Sequence, residues 1–229
     1  MPHPTTDGYH GHSRDDLLAQ VPALPKASRV LELGCGEGRL GERLAALGHE
    51  VHGVEFVPAA AAIAARRLHR VHCGDVESLP LDYPAGHFAL LVCGDVLEHL
   101  RDPWALLARV RPLLTADAHA VVSVPNVQYF PVVLDLLRGR FTYRDSGVLD
   151  RTHLRFFTRR EARRLLEGSG YEVLAMPAVY PFRSTLLRAL ARGLSAVTFG
   201  WLGGFLLGQI RLVARPRQDA VGAASVGPP

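Results

Sequence analysis

The residues of this 229-residue chain best suited to chemistry run in the order Glu32, Gly34, Gly36, Gly38, Glu55, Asp75, Asp95, Glu98, His99 and His153. Three glycines within five residues, in "ELGCGEG", let a backbone turn sharply and let a ligand approach the main chain. Glu55, seventeen residues past Gly38, can accept two hydrogen bonds from ribose hydroxyls. Asp75, in "GDV", can accept one from an exocyclic amine. Glycines followed by an acid also describe dinucleotide sites, but there the spacing is G-x-G-x-x-G and a helix N-terminus faces a pyrophosphate. Here the spacing is G-x-G-x-G, Glu37 sits inside the turn and Glu32 leads into it. Carboxylates there suit a cation and repel a diphosphate.

The elements that must position these residues read as strands and helices in alternation. "RVLELG", "EVHGVE", "RVHCGD", "FALLVCGD" and "AVVSVPN" are apolar runs of the kind that form strands buried on both faces. Helices are expected over Asp15–Val21, over Arg39–Leu47, over the alanine-rich Pro58–Leu68, and from Asp102-Pro103 to about Leu114. Thr158 and Glu161 make a capping box for a helix ending near Gly168. "YEVLAMPAV" reads as a sixth strand and "QIRLVARP" as a last one. Such alternation predicts a doubly wound, mostly parallel sheet, with ligands at the carboxyl ends of the strands. The turn glycines, Glu55, Asp75, Asp95, Glu98 and His99 lie just after apolar strands, where that rule places a site, and His153 lies in the later aromatic, arginine-rich segment.

S-adenosylmethionine carries a sulfonium, an amine, a ribose and an adenine, and it suits every polar group above. "VLELGCGEG", "GVE", "GDVESLP" and "FALLVCGDVLEHLRDP", in that order, resemble the successive motifs of class I S-adenosylmethionine-dependent methyltransferases, of the group that includes ubiquinone-biosynthesis O-methyltransferases. The resemblance covers about residues 29–126. It implies a Rossmann-like, seven-stranded α/β sheet with an antiparallel last strand and a helical cap. "LLRGRFTYRDSGVLDRTHLRFFT" further resembles a subgroup associated with cell-surface polysaccharide or glycoconjugate synthesis.

By that resemblance Glu32 and the backbone of Gly34, Cys35, Gly36 and Gly38 hold the methionine end of the cofactor. Glu55 binds the ribose and Asp75 with Val76 the adenine. Cys93, Gly94 and Asp95 line the cofactor, and Glu98 and His99 face the substrate. Phe56, where many relatives carry a small polar residue, is placed either to pack on the adenine or to change the ribose edge. His153 is the choice for a general base, since an imidazole titrates near working pH, with His99 the second catalytic candidate. Arg151 and Arg155, which flank His153, are candidate anion contacts. Bland readings stand beside these: Cys35 and Cys93 as small buried fillers, Asp75 as a turn residue, His153 as a lid histidine bonded to backbone, and Glu98-His99 as local caps or ligands of a divalent ion. No metal site is assigned.

Residues 1–14 are expected to be a flexible N-terminus and residues 15–216 one domain, with a lid over 127–160 and a late helical cap over 182–205. Residues 217–229 are expected to be a disordered tail. All but one of the 26 basic residues are arginine, and the net charge of +4 is too weak to argue for nucleic acid. Three scattered cysteines make neither a disulfide framework nor a zinc site and fit a reducing cytoplasm. No signal peptide is visible. The uncharged stretch 193–210 is a weak candidate for membrane contact. The expected protein is a monomer or homodimer that methylates a small molecule, a sugar or a glycoconjugate, most readily at oxygen. N- or C-methylation and a non-catalytic partner role remain as alternatives.

Overall fold

The computed structural model describes residues 14–179 and 201–218, with single helical positions at 189, 193 and 197. Seven strands form one sheet: β1 (Arg29–Leu33), β2 (Glu50–Glu55), β3 (Arg70–Cys73), β4 (Phe88–Gly94), β5 (Leu114–Pro125), β6 (Tyr171–Ala175) and β7 (Gln209–Pro216). Their order across the sheet is β3-β2-β1-β4-β5-β7-β6. The first five run parallel, and β7 lies antiparallel between β5 and β6. Order reverses between β1 and β4, so the turns leaving those two strands diverge and open a crevice.

Helices cover both faces, which is why β1, β2 and β4 carry nearly unbroken apolar runs. On one face, α1 (Asp15–Leu18), α2 (Arg39–Ala46) and α3 (Pro58–Ala64) bury Leu17, Leu40, Leu44 and Ala64 against Val30, Val51 and Leu90. On the other, α4 (Pro103–Val110) and α6 (Arg159–Gly168) bury Leu107, Val110, Leu165 and Leu166 against Leu31, Leu91 and Val122. The Asp102 side chain caps α4 by accepting from Ala105 N at 2.9 Å, and Thr158 caps α6 by accepting from Glu161 N at 3.2 Å.

Several expected boundaries shift. The alanine-rich helix stops at Ala64, where tight turns through Arg66 and Arg67 carry the chain into β3. The helix α4 ends at Val110, because Pro112 supplies no N–H and the chain passes into a 3₁₀ turn over Arg111–Leu113. The strand β5 starts six residues earlier than "AVVSVPN", since Leu114 already pairs with Phe88 across a bulge. Of "YEVLAMPAV" only the five residues Tyr171–Ala175 form β6, at the sheet edge. The expected lid contains a helix that was not anticipated, α5 (Phe130–Leu137), with none of its side chains buried.

Arg14, the last residue of the expected N-terminal segment, is held by three acceptors described below. Residues 217 and 218 are described, Arg217 N donating to Gly170 O at 2.8 Å. Residues 1–13, 219–229 and most of the expected cap lie outside the described residues; the cap is seen as α7 (Trp201–Phe205). Among the described residues no helix is long and apolar enough to cross a membrane.

Candidate active site

The glycine turn leaves β1 with Gly34, Gly36 and Gly38 all at positive φ, 66°, 55° and 78°. A Cβ at Gly34 would also lie 2.3 Å from Val96 Cγ2. The turn is thus seated on the chain leaving β4, and only glycine satisfies both backbone and neighbour. Glu55, at the end of β2, ties the turn down: its carboxylate accepts from Gly36 N at 2.8 Å and from Val57 N at 2.9 Å. Each oxygen keeps a lone pair for a further donor. Beside it, Phe56 is 56% exposed at the rim.

Glu32 is buried under the turn, and its Oε2 has no hydrogen-bond partner among the described residues. Burial pushes its pKa up to about 8, against smaller pulls from the Gly41 backbone and Arg14, with the Glu55 charge adding least. A buried acid held neutral in this way is a place where an arriving cation is welcome. Cys35 is 6% exposed and turned away toward Gly53, where a Cβ would stand 2.6 Å from its Sγ. Cys93 is fully buried among Leu33, Leu91 and Val122. Burial first of all pushes both thiols far up. Both side chains are core fillers, as the plainer reading of these cysteines expects.

Asp75 is exposed after β3, with Oδ1 accepting from Glu77 N at 2.9 Å in a local turn. Val76 beneath it is buried. Glu77 reaches across to accept from Arg101 N and Asp102 N at 3.1 and 2.8 Å, which ties the turn after β3 to the segment leading into α4.

Beyond β4, Gly94 faces α1: a Cβ there would meet Leu17 Cδ1 at 2.6 Å. Asp95, at φ 54°, is bonded on both oxygens. Arg14 NH1 donates to Oδ2 at 2.8 Å, Ser123 Oγ to Oδ1 at 2.9 Å, and Gln209 Nε2 to both at 2.6 and 2.8 Å. Arg14 also donates to Ser123 Oγ at 2.8 Å and to Asp16 at 3.2 Å, and Arg211 to Asp16 at 2.9 Å. The sequence reading missed Arg14, Ser123 and Gln209. Ser123, a lone hydroxyl in the apolar run "AVVSVP", was the one signal available. Arg14 and Gln209 had none, because their role comes from topology alone.

A second group of side chains is built by two segments that approach each other across the carboxyl end of the sheet. Leu154 N and Arg155 N both donate to Glu98 O, at 2.7 and 2.9 Å, so the "RTHLRFF" segment is stitched to the 3₁₀ turn Leu97–His99. The rings of His99 and His153 meet edge to face at 4.8 Å. His153 Nδ1 lies 3.1 Å from Val148 O; a carbonyl only accepts, so the neutral ring keeps its proton on Nδ1 and presents a lone pair on Nε2. That Nε2 is buried without a partner among the described residues, and so are both Glu98 oxygens. His99 Nδ1 faces the Thr152 carbonyl at 3.3 Å, and Thr152 Oγ1 in turn donates to Asp150 at 2.6 Å. Burial first, then Asp95, raise the Glu98 carboxyl well above the ordinary carboxylate range. Burial, then His153, lower His99 and keep it neutral. The donor atoms of Glu98, His99 and His153 lie within 4.8 Å of one another, a set able to hold a divalent cation.

Arg151 and Arg155 do not join this group. Arg151 pairs with exposed Asp145 at 2.8 Å, and Arg155 donates to the Arg101 carbonyl and stacks 5.8 Å above Trp104. The reason is local: His153 turns inward, and residues 151, 152, 154 and 155 face out. An aromatic group that sequence reasoning did not single out lies nearer. Phe156 is 6.4 Å from His153 and 5.7 Å from Phe141, which is 5.6 Å from Tyr143.

An open α/β sheet of order 3-2-1-4-5-7-6, a glycine turn after β1 and acids after β2, β3 and β4 define the Rossmann-like fold of methyltransferases. The chain belongs to the methyltransferase domain family, whose model matches residues 9–176. A ubiquinone biosynthesis O-methyltransferase from Xanthomonas campestris pv. campestris (strain B100) is 35% identical over 121 residues, 49% of each chain. One from Rhodopseudomonas palustris (strain HaA2) is 31% identical over 125 residues, 51% of this chain and 47% of the relative. The chain thus matches about half the length of these curated relatives. Among solved structures, an S-adenosylmethionine dependent methyltransferase from Mesorhizobium loti has a TM-score of 0.63 at 20% identity, covering 91% of this chain and 100% of the other. The Burkholderia thailandensis 1,6-didemethyltoxoflavin-N1-methyltransferase, bound to its substrate and S-adenosylhomocysteine, has a TM-score of 0.60 at 19% identity, covering 92% and 80%. At these identities the likeness to the solved structures is one of fold.

Proposed function

We propose that this chain is an enzyme that transfers a methyl group from S-adenosylmethionine to a hydroxyl oxygen of a small acceptor. The cofactor fits the residues present. Glu32 is a buried acid short of a partner, suited to the amine; Arg14 is a cation for the carboxylate; Glu55 has spare lone pairs for ribose; Asp75 and Phe56 flank the adenine side. When bound, the cofactor supplies an activated methyl on a sulfonium, whose positive charge is lost in the transfer. The protein's part is to orient the acceptor and to keep water out.

The observation that carries the acceptor reading is the unpartnered, buried Nε2 of His153. Its lone pair is fixed in direction by the Nδ1–H bond to Val148, and it takes the proton of a hydroxyl placed against it. The neutral Glu98 carboxyl beside it can donate to the same oxygen. Phe156, Phe141 and Tyr143 offer ring faces to a flat or sugar-like acceptor body. The relatives named as O-methyltransferases support oxygen as the receiving atom.

A second reading rests on the same orphaned carboxylate. With a divalent cation at Glu98, His99 and His153, those side chains would hold the ion that orients the acceptor, and His153 would be no base. Transfer of labelled methyl groups to phenolic and sugar hydroxyl acceptors, with and without chelator, tests both. Turnover that survives chelator and fails in His153→Ala supports the base. Turnover lost to chelator and restored by cation supports the metal reading. Cofactor binding without any transfer supports a non-catalytic partner, and transfer confined to amine or carbon acceptors supports N- or C-methylation.

A further inference from the structure

The amino ends of the same strands carry a second group of chemical side chains, far along β2 from Glu55. Four histidines, a tyrosine and a glutamate crowd the starts of β2, β3 and β4. His52, in β2, is 4% exposed, and its Nε2 lies 2.7 Å from Glu50 Oε1. The same Glu50 oxygen lies 3.5 Å from Nε2 of exposed His69, in the turn before β3. On its inner side, His52 Nδ1 lies 2.9 Å from the Tyr83 hydroxyl, which lies 2.8 Å from His72 Nε2. His87 packs on Tyr83 at 5.2 Å and meets Arg29 at 3.1 Å.

We propose that Glu50, His52 and His69 bind a divalent cation of the zinc class at the β3–β2 edge of the sheet. The donor atoms of the three lie within 4.8 Å of one another. Tetrahedral zinc with bonds of about 2.0 Å needs donors about 3.3 Å apart. The separations of 2.7 and 3.5 Å bracket that figure. The half-exposed Glu50 and exposed His69 leave the outer side to water as fourth ligand. Two imidazoles select zinc-class ions over magnesium or calcium. Arg29 and Arg70 at the rim oppose a cation bound by charge alone.

The inner bonds accommodate the ion without orphaning any group. Without it, Glu50 only accepts, so His52 carries its proton on Nε2. His52 Nδ1 then accepts from Tyr83 and Tyr83 accepts from His72. With an ion on Nε2 that proton leaves to solvent. His52 Nδ1 takes the Tyr83 proton, Tyr83 takes the one on His72 Nε2, and His72 gains one from solvent on Nδ1. The net proton count is unchanged, and every member keeps a partner. A metal-bound imidazole that donates its other N–H to a fixed acceptor is the usual outer arrangement of such sites.

Cobalt(II) titration of the untagged 229-residue chain tests the proposal, through the visible bands of tetrahedral cobalt and their displacement by zinc. One equivalent should bind with tetrahedral bands. His69→Asn and Glu50→Gln, both on the exposed side, should lose the bands while their thermal melts without metal stay near the parent's. Tyr83→Phe should weaken binding by roughly tenfold or more. His153→Asn, at the acceptor site, should keep the bands, as should a chain with His3, His10 and His12 changed to Asn. The proposal is overturned if the parent shows no tetrahedral bands. It is equally overturned if His69→Asn and Glu50→Gln keep them, or if only His153→Asn or the N-terminal variant loses them.

Discussion

At the scale of single residues, the proposed function divides the site into a cofactor half and an acceptor half, and substitutions should respect that division. His153→Ala should lower kcat by roughly 10²–10⁴-fold with cofactor affinity unchanged, read by steady-state kinetics beside calorimetric titration. Loss of affinity without loss of rate would remove His153 from the role of base. Glu32 makes a different prediction. Its pKa is raised from 4.5 to about 8 by burial, so the stability it lends is complete below pH 4.5 and is lost as pH rises through about 8. Melting of the cofactor-free chain should therefore fall between pH 5 and 8, and Glu32→Gln should flatten the slope. A cationic ligand favours the ionised carboxylate, so S-adenosylmethionine should bind more tightly as pH rises over that range, with a proton released. Calorimetry in buffers of different ionisation enthalpy measures that proton directly.

At the scale of elements, what matters is how turns are held against one another. Gly34→Ala would force a Cβ against Val96 and hold an alanine at φ 66°. The left-handed backbone alone costs about 1–2 kcal/mol. Cofactor affinity should fall together with stability, because Gly36 in the same turn is bonded to Glu55. Asn126, at the end of β5, donates to Gly204 O and Leu207 O at 2.8 and 2.7 Å and accepts from Gln128 N at 3.1 Å. Asn126→Ala should cost about 2 kcal/mol and lower the Tm by about 4–8 °C in a thermal scan. The strand ends and the glycine turn were legible in the sequence because a parallel strand buried on both faces leaves an unbroken apolar run, and polar residues then mark its carboxyl end. The helix α5 was not, because Phe130, Leu134 and Leu137 are exposed and give no inward-facing stripe to read. The arginines beside His153 misled for a related reason: adjacency along a turn does not make side chains converge.

At the scale of the whole molecule, Asp95 gathers residues from positions 14, 123 and 209. No spacing rule joins residues so far apart, which is why this network was illegible although most of the cofactor motifs were plain. Arg14→Met should weaken S-adenosylmethionine binding in calorimetry and lower the Tm, since Asp95 keeps only neutral donors and Asp16 keeps Arg211. The same network bears on the order in which the protein is made. The strand β6 leaves the ribosome before β7, yet in the finished sheet it pairs only with β7, which slides between it and β5. Until Gln209 and Arg211 have emerged, β6 has no neighbour in the sheet, Asp95 lacks Gln209 and Asp16 lacks Arg211. A nascent chain stalled before that point would hold every cofactor motif but lack the closing strand, and that stretch of synthesis is where chaperone protection would matter most.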